Sequence, residues 1–279
     1  MAESVLILIA ASVLAGLVGA LAGLGGGVLI VPLLTIGFGV DIRYAIGASI
    51  ISVIATSSGA AAVYVRDRLT NLRLGMVLEL ATTAGAVGGA LLAGVVDPQI
   101  LFLVFGSVLA VSVVPLVARL GEELPAPRPP DGWARRLRLA ASYADANLGR
   151  VIPYAPTRLP LGLAMMGVAG LLSGLLGIGS GTLKVLAMDT AMRLPMKVST
   201  TTSNFMIGVT AAASAGIYFS RGDINPLLAA PVALGVVLGA GLGSRLLAHL
   251  SNRALRRVFV PVMLLIAAEM VLRGMGVRV

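Results

Sequence analysis

Long apolar runs separated by short polar breaks dominate the chain. They cover roughly residues 4–38, 43–65, 72–96, 98–118, 159–190, 195–219, 225–249 and 255–273, close to or above the ~20 apolar residues that carry a helix across a bilayer. The pattern predicts an all-α polytopic membrane protein. One long polar segment interrupts it. This segment, 119–158, contains "EELPAPRPPDGWARRLRLAASYADANLGR", a Pro-rich turn followed by a basic stretch that reads as an amphipathic helix on the cytoplasmic membrane surface or in the cytoplasm. Three parts follow: an N-terminal membrane repeat over 1–118, the linker over 119–158, and a C-terminal membrane repeat over 159–279.

The word repeat rests on register. The first apolar run is interrupted by "GLGGGVLIVP" (Gly23 to Pro32) and the fifth by "GIGSGTLKVL" (Gly177 to Leu186). At a constant offset of 154, Gly23, Gly25 and Gly27 fall on Gly177, Gly179 and Gly181, and Ser49, Tyr64, Asn71, Gly85 and Gly89 fall on Ser203, Tyr218, Asn225, Gly239 and Gly243. Chance likeness of two Gly/Ala/Leu-rich segments would not keep serine, tyrosine and asparagine in register without a gap, so an internal duplication is the better reading.

Loop charges orient the halves. Arg66, Arg68 and Arg73 follow the second run and nothing basic follows the third, whereas the second half reverses this bias, with Arg221 after the sixth run and Arg245, Arg253, Arg256 and Arg257 around the turn after the seventh. Equivalent loops then lie on opposite sides, the inverted arrangement of many secondary transporters. Inversion needs an odd number of crossings per repeat, yet each repeat has four apolar runs. If runs one and five break at the glycines and return as re-entrant hairpins, each repeat keeps three full spans, with the linker inside and both termini outside. Arg273 and Arg278 sit on the wrong side for this arrangement, and a plain eight-span topology competes with it.

Non-helical backbone at membrane depth is tolerated only where protein buries it or water reaches it. A helix that restarts after a break presents unpaired N–H groups and about half a positive charge, which attract anions. The candidate anion-binding residues at the breaks are therefore Gly25, Gly26 and Gly27 in the first half and Gly179, Ser180 and Gly181 in the second. Ser49 and the polar run "STTTSNF" (Ser199 to Phe205) lie near mid-membrane in the second and sixth runs. Ser49, Thr201, Thr202, Ser203 and Asn204 can donate to an anionic oxygen, or can bond their own or a neighbouring helix. Lys184 is the sharpest single residue, because an intramembrane charge is costly and beside a helix start it favours a bound anion. Its alternative is snorkelling or a pair with Asp189. Glu79 and Glu269 fall near run ends and read as interfacial, as does His249.

Composition narrows the chemistry further. The chain is 58% hydrophobic and 12% charged, against roughly 45–50% and about 25% in soluble domains, and its mean hydropathy is +0.99. With no cysteine and one histidine, disulfides, thiolate sites and multi-histidine metal centres are not expected, and no cofactor is called for. The net charge of +9 is scattered over short loops, which suits topology rather than nucleic acid. The N-terminal "MAESVLILIA" lacks a basic n-region and reads as the start of the first membrane run.

These features carry a family resemblance. "GLVGALAGLGGGVLIVPLL", its degenerate copy "GLLSGLLGIGSGTLKVL", and "GASIISVIATSSGA" with "STTTSNFMIGVTAAASAG" behind them resemble the TauE/SafE sulfite-exporter family over nearly the whole chain apart from 119–158. The resemblance implies a multi-pass permease of the plasma (inner) membrane for a small sulfur-containing anion, sulfite or an organosulfonate, with the family's break at Gly23–Gly27 and Gly177–Gly181 and its polar helix at Ser49 and at Thr200–Asn204. Here Ser180 replaces a glycine and Leu186 stands where the first half has Pro32, so the half-sites differ. Related thiosulfate permeases use cysteines along the path; this chain has none.

The expected partners are a small anionic substrate and the lipid bilayer, and a homo-oligomer is compatible with the reading. Three alternatives stand beside it: a permease for another anion such as a carboxylate, a channel-like or passive membrane subunit, and an intramembrane serine enzyme. The last is poorly served, since position 178 is isoleucine where a rhomboid-type motif has glycine and His249 lies at a run end.

Overall fold

The computed structural model describes residues 2–22, 27–66, 70–118, 131–145, 149–247 and 252–277. The first half comprises α1 (Ala2–Ala22), α2 (Gly27–Pro32) continued by a π-helical turn (Leu33–Gly37), α3 (Ile42–Arg66), α4 (Leu72–Val95) and α5 (Pro98–Ala118). After the linker come α7 (Leu159–Leu176), α8 (Gly181–Leu186) with a π turn (Ala187–Ala191), α9 (Met196–Ser220), α10 (Pro226–Leu247) and α11 (Asn252–Gly274). Helix boundaries recur at the offset of 154 read from the sequence: Gly27 and Gly181 begin α2 and α8, and Leu72 and Pro226 begin α4 and α10. The π turn recurs as well, although only the first copy has a proline before it. Proline is therefore not its cause. In both copies an N–H beyond the turn reaches back six residues, Val40 to Leu34 O and Leu194 to Met188 O, each at 3.0 Å.

Close packing crosses between the halves. A Cβ on Gly85 of α4 would lie 2.1 Å from Gly167 O of α7, and one on Gly239 of α10 would lie 2.0 Å from Val13 O of α1. Gly170 against Thr82 O and Gly16 against Val236 O repeat the relation. Each of these four pairs has its counterpart at the same offset, and small residues let the backbones touch where lipid supplies no hydrophobic drive. The registers also give directions. Gly85 faces Gly167 and Gly89 faces Leu171, so α4 and α7 run parallel, and Gly235 against Ile9 with Gly239 against Val13 makes α1 and α10 parallel too. The pairs α5/α11 and α3/α9 run antiparallel: Gly106 faces Ala267 while Gly274 faces Leu103, and Gly208 faces Ser57 while Thr70, beyond the end of α3, bonds Thr201 O.

Among the described residues, Leu72–Val95 and Leu159–Leu176 are long and apolar enough to cross a bilayer, and Val5–Val18, Ile42–Ser58, Pro98–Val113 and Pro226–Leu242 are shorter apolar helical runs. Large apolar side chains also point outward, Leu80, Val95 and Leu227 being 76%, 80% and 85% exposed, as a lipid-facing surface requires.

The linker departs from expectation. In place of the amphipathic helix read from the sequence stand a five-residue helix α6 (Gly132–Arg136) and an antiparallel hairpin of β1 (Ala141–Asp145) and β2 (Arg150–Tyr154), with Tyr143 opposite Ile152. The β-branched and aromatic residues Tyr143, Val151, Ile152 and Tyr154 suit a pleated ribbon, while Gly149, at φ +60°, supplies its turn. The hairpin is tied to the membrane helices. Asn71 caps α4 by accepting from the Leu74 N–H at 3.0 Å, and its amide donates to Leu139 O and the Tyr154 hydroxyl. Burial pushes the Tyr154 phenol up from its ordinary pKa, against the lowering effect of Asn71. Asp131 caps α6 and also accepts from the Leu159 N–H at the head of α7, at 2.8 Å.

Two glycines on α4 and α7 test the packing. Gly170→Ala is expected to force α4 and α7 apart and cost about 1–3 kcal/mol. Gly88→Ala, where a Cβ would meet nothing within 4 Å, should be neutral or gain roughly 1 kcal/mol of helix propensity. Thermal unfolding of the purified variants in detergent gives the two signs.

Candidate functional site

The two breaks meet in the core between α3 and α9. Gly177 closes α7 in the left-handed conformation (φ +66°), and Gly179 (φ +71°) and Ser180 (φ +44°) follow it. A Cβ on Gly179 would lie 2.8 Å from the Ile207 side chain and 3.2 Å from Val53, so the break is clamped between α9 and α3. On the other side, Gly27 lies against Val53, Ser49 and the carbonyl of Gly177. Gly23, Gly25 and Gly26 lie outside the described residues.

One hydroxyl ties the breaks together. Ser49 Oγ lies 3.1 Å from Gly27 O and 2.7 Å from Gly177 O, so its proton serves carbonyls of both halves. Its counterpart repeats the local part of this, Ser203 Oγ donating to Gly181 O at 3.2 Å. Gly177 O, at the end of α7, is a carbonyl the broken helix leaves unpaired, whereas Gly27 O and Gly181 O begin the ladders of α2 and α8 and gain a second donor. The neighbouring hydroxyls divide by use. Thr201 bonds back to Lys197 O and Val198 O of its own helix. Thr202 accepts the Asn71 N–H at 3.2 Å, linking α9 to the head of α4. Asn204 is half-buried. The structure thus brings Gly27, Ser49, Gly179, Ser180, Gly181 and Ser203 together, while Thr201 and Thr202 serve the frame of α9 and α4.

Ser180 and Lys184 are different. Ser180 occupies the cap position of α8 but makes no capping bond; it is 1% exposed and its Oγ has no partner among the described residues. A left-handed non-glycine residue costs roughly 1–2 kcal/mol, and a buried unpaired hydroxyl costs about as much again. A residue that costs stability twice is a candidate for ligand contact. The Lys184 N–H makes the first bond of the helical ladder, to Ser180 O at 3.0 Å, so the two residues are one turn apart.

Lys184 is fully buried and does not snorkel. Its Nζ donates to Thr210 Oγ1 of α9 at 2.6 Å, and that hydroxyl lies 2.7 Å from Glu79 Oε1 of α4. The carboxylate it meets is that of Glu79, rather than Asp189 five residues away. This corrects the interfacial reading of Glu79, which is 7% exposed, also accepts from Thr83 at 3.1 Å, and has Oε2 unpartnered among the described residues. Sequence reasoning missed the pair because Glu79 is counted from a run end, whereas α7 and α9 cover that end of α4. Glu269 stays half-exposed at its i,i+4 pair with Arg273, 3.6 Å away.

The sequence matches the family described as "Sulfite exporter TauE/SafE" over residues 8–270, which spans both breaks, the linker and every helix that packs between the halves. The chain belongs to the sulfite exporter TauE/SafE family. Its relatives include the "Probable membrane transporter protein YunE" of Bacillus subtilis (strain 168), 26% identical over 97% of this chain and 98% of the relative. A second is the "Probable membrane transporter protein YdhB" of the same organism, 24% identical over 83% of this chain and 86% of the relative. A "Probable membrane transporter protein" of Xylella fastidiosa is 26% identical over 98% of this chain. No solved structure matches the chain. As a TauE/SafE family member with these relatives, the protein is a membrane transporter.

The Ser49 clamp yields a stability prediction. Ser49→Ala takes the donor from the buried Gly177 carbonyl and should cost about 1–3 kcal/mol, whereas Ser58→Ala, at an exposed hydroxyl that bonds Ile54 O of its own helix, should change stability by less than about 0.5 kcal/mol. Melting curves of the two variants compare them directly; equal losses would mean that the clamp carries no special weight.

Proposed function

We propose that the protein is a multi-pass permease of the plasma (inner) membrane that moves a small sulfur oxyanion, sulfite or an organosulfonate, by alternating access around the paired breaks. Ser180 and Lys184 carry the reading: a strained, buried, unpartnered hydroxyl and a buried ammonium one helical turn apart. Oxyanions only accept hydrogen bonds, so they need donors. Lys184 Nζ, Ser180 Oγ and the N–H groups of residues 181–183, which precede the helical ladder, are the donors this turn offers. In the first half the counterparts are Gly25, Gly26 and Gly27, with Ile30 where the second has Lys184. Ser49 and Ser203 hold the breaks in place. The sulfur chemistry of the substrate is drawn from the family's description.

Helix direction supports this transport mode. Helices α3 and α9 run antiparallel, as do α5 and α11, although each pair is equivalent at the offset of 154. Such pairs favour two inverted repeats, 1–118 and 159–279, joined by the linker 119–158. Helix α1 is parallel to α10, which reverses from α9 through a short turn, and α9 opposes α3. On this reading α1 and α3 point the same way, which supports a return of the chain through α2, as in a re-entrant hairpin. Inverted repeats around a central site are the usual frame for exchanging inward- and outward-open forms.

Thermal stabilisation of the purified protein by sulfite, sulfoacetate, taurine, sulfate and acetate tests the substrate class; shifts with sulfur oxyanions but not acetate are expected, and shifts with acetate alone would overturn it. Ser180→Gly sharpens the test. It should raise intrinsic stability by roughly 1 kcal/mol by removing left-handed strain, while reducing the ligand-induced shift. Lys184→Met combined with Glu79→Gln, which removes both buried charges together, should abolish the shift; full retention would take Lys184 out of the site.

A further inference from the structure

The Glu79–Thr210–Lys184 chain does more than bury a charge pair. We propose that Glu79 is the coupling carboxylate of the transporter: the substrate anion and ionised Glu79 are alternative counter-charges for Lys184, so each anion enters as Glu79 takes up one proton, and the two cross the membrane together. The inference rests on the anion reading above and names its coupling ion.

Three observations carry it. Glu79 is buried, yet Oε2 has no partner among the described residues, so that oxygen can take a proton without breaking a bond. Thr210 Oγ1 lies 2.7 Å from two acceptors, Glu79 Oε1 and Met206 O, while it receives the Lys184 ammonium. A threonine hydroxyl has one proton. With Glu79 ionised, that proton serves the carboxylate; with Glu79 protonated, it turns to Met206 O and the hydroxyl still holds Lys184. Thr210 is thus a two-position relay. Finally, the pair is not duplicated. The counterparts of Glu79, Thr210 and Lys184 at the offset of 154 are Ala233, Thr56 and Ile30, and Thr56 bonds Ser52 O of its own helix at 2.9 Å.

Charge bookkeeping then sets the coupling. Empty, the site holds one ammonium and one carboxylate. An anion added to that pair leaves an uncompensated buried negative charge, which is strongly disfavoured at membrane depth. Protonating Glu79 restores the balance: a proton from solvent bonds to the carboxylate, and the anion replaces it beside Lys184. Among the described residues, Glu79 is the carboxylate that reaches Lys184 through Thr210. Of the elements packed near α4, α7 carries no charged residue, α8 carries Lys184 alone, its π turn carries Asp189, and α9 carries Lys197 in its first turn. Arg73 lies in the first turn of α4 and donates to Arg138 O of the linker at 3.2 Å, and Arg221 binds Ala90 O, far along α4 from Glu79.

Proton uptake on binding tests this with the full chain in detergent. The probes are methanesulfonate and ethanesulfonate, monoanions whose charge is constant around neutral pH, so any proton taken up belongs to the protein. Calorimetric titration in buffers of different ionisation enthalpy should show about one proton taken up per anion, with affinity falling up to about tenfold per pH unit as pH rises through the range where Glu79 is ionised in the empty site. Glu79→Gln should bind the same probes with no proton uptake and a flat pH profile. Binding by the wild-type protein without proton uptake, or uptake that persists in Glu79→Gln, would overturn the coupling while leaving the anion site standing. Absence of binding by either probe, together with binding of acetate, would instead overturn the anion reading. The wild-type arm tests proton coupling without a variant, and Glu79→Gln assigns the proton to Glu79.

Discussion

A helix cannot stop inside a membrane without leaving carbonyls and N–H groups that lipid will not satisfy. Here α7 ends at Gly177 inside the core, and the hydroxyl of Ser49 meets that cost by donating to Gly177 O while it also reaches Gly27 O at the head of α2, which ties the two breaks together. Much else follows from keeping those breaks side by side. Helices α3 and α9 must cross closely enough to clamp Gly179 between Val53 and Ile207, and the glycine contacts of α4 with α7 and of α1 with α10 draw each broken unit onto the opposite half. The two halves share one core, which no half could form alone.

Within that frame the polar residues separate into two kinds. Ser49, Ser203, Thr201, Thr202 and Asn71 have partners in the backbone and hold elements in register. Ser180 lacks such a partner and Glu79 has one free oxygen, although both are buried. Groups of the first kind stabilise, and their loss should appear in melting. Groups of the second kind cost stability in the empty protein, and a transporter needs some of these, since a site fully satisfied by its own residues has nothing to offer a substrate.

The halves share a plan but not a chemistry. Glycine contacts, helix boundaries and π turns repeat at one offset, whereas Lys184, Glu79 and the serine at 180 occur on one side only. Backbone close approach constrains residues to be small in both copies. Charge is under no such constraint, because one ammonium suffices for one site.

The membrane class, the two breaks, the offset between halves and the lysine within an apolar run are legible in the chain's letters alone. All four are written in local composition and register: glycine clusters interrupt apolar runs, tyrosine and serine recur in phase, and a lysine in an apolar run is visible without a partner. Tertiary structure alone decided which hydroxyls are spent and which are free, since Ser49 and Ser180 look alike as letters and differ only in the carbonyls brought against them. It decided that Glu79, near a run end, is covered by α7 and α9 and meets Lys184 through Thr210. It also set a β-hairpin where basic composition suggested a helix, because Asn71 and Asp131 anchor the linker to the heads of α4 and α7. Pairings between residues far apart in the chain depend on how the halves pack, and no periodicity within either half records them.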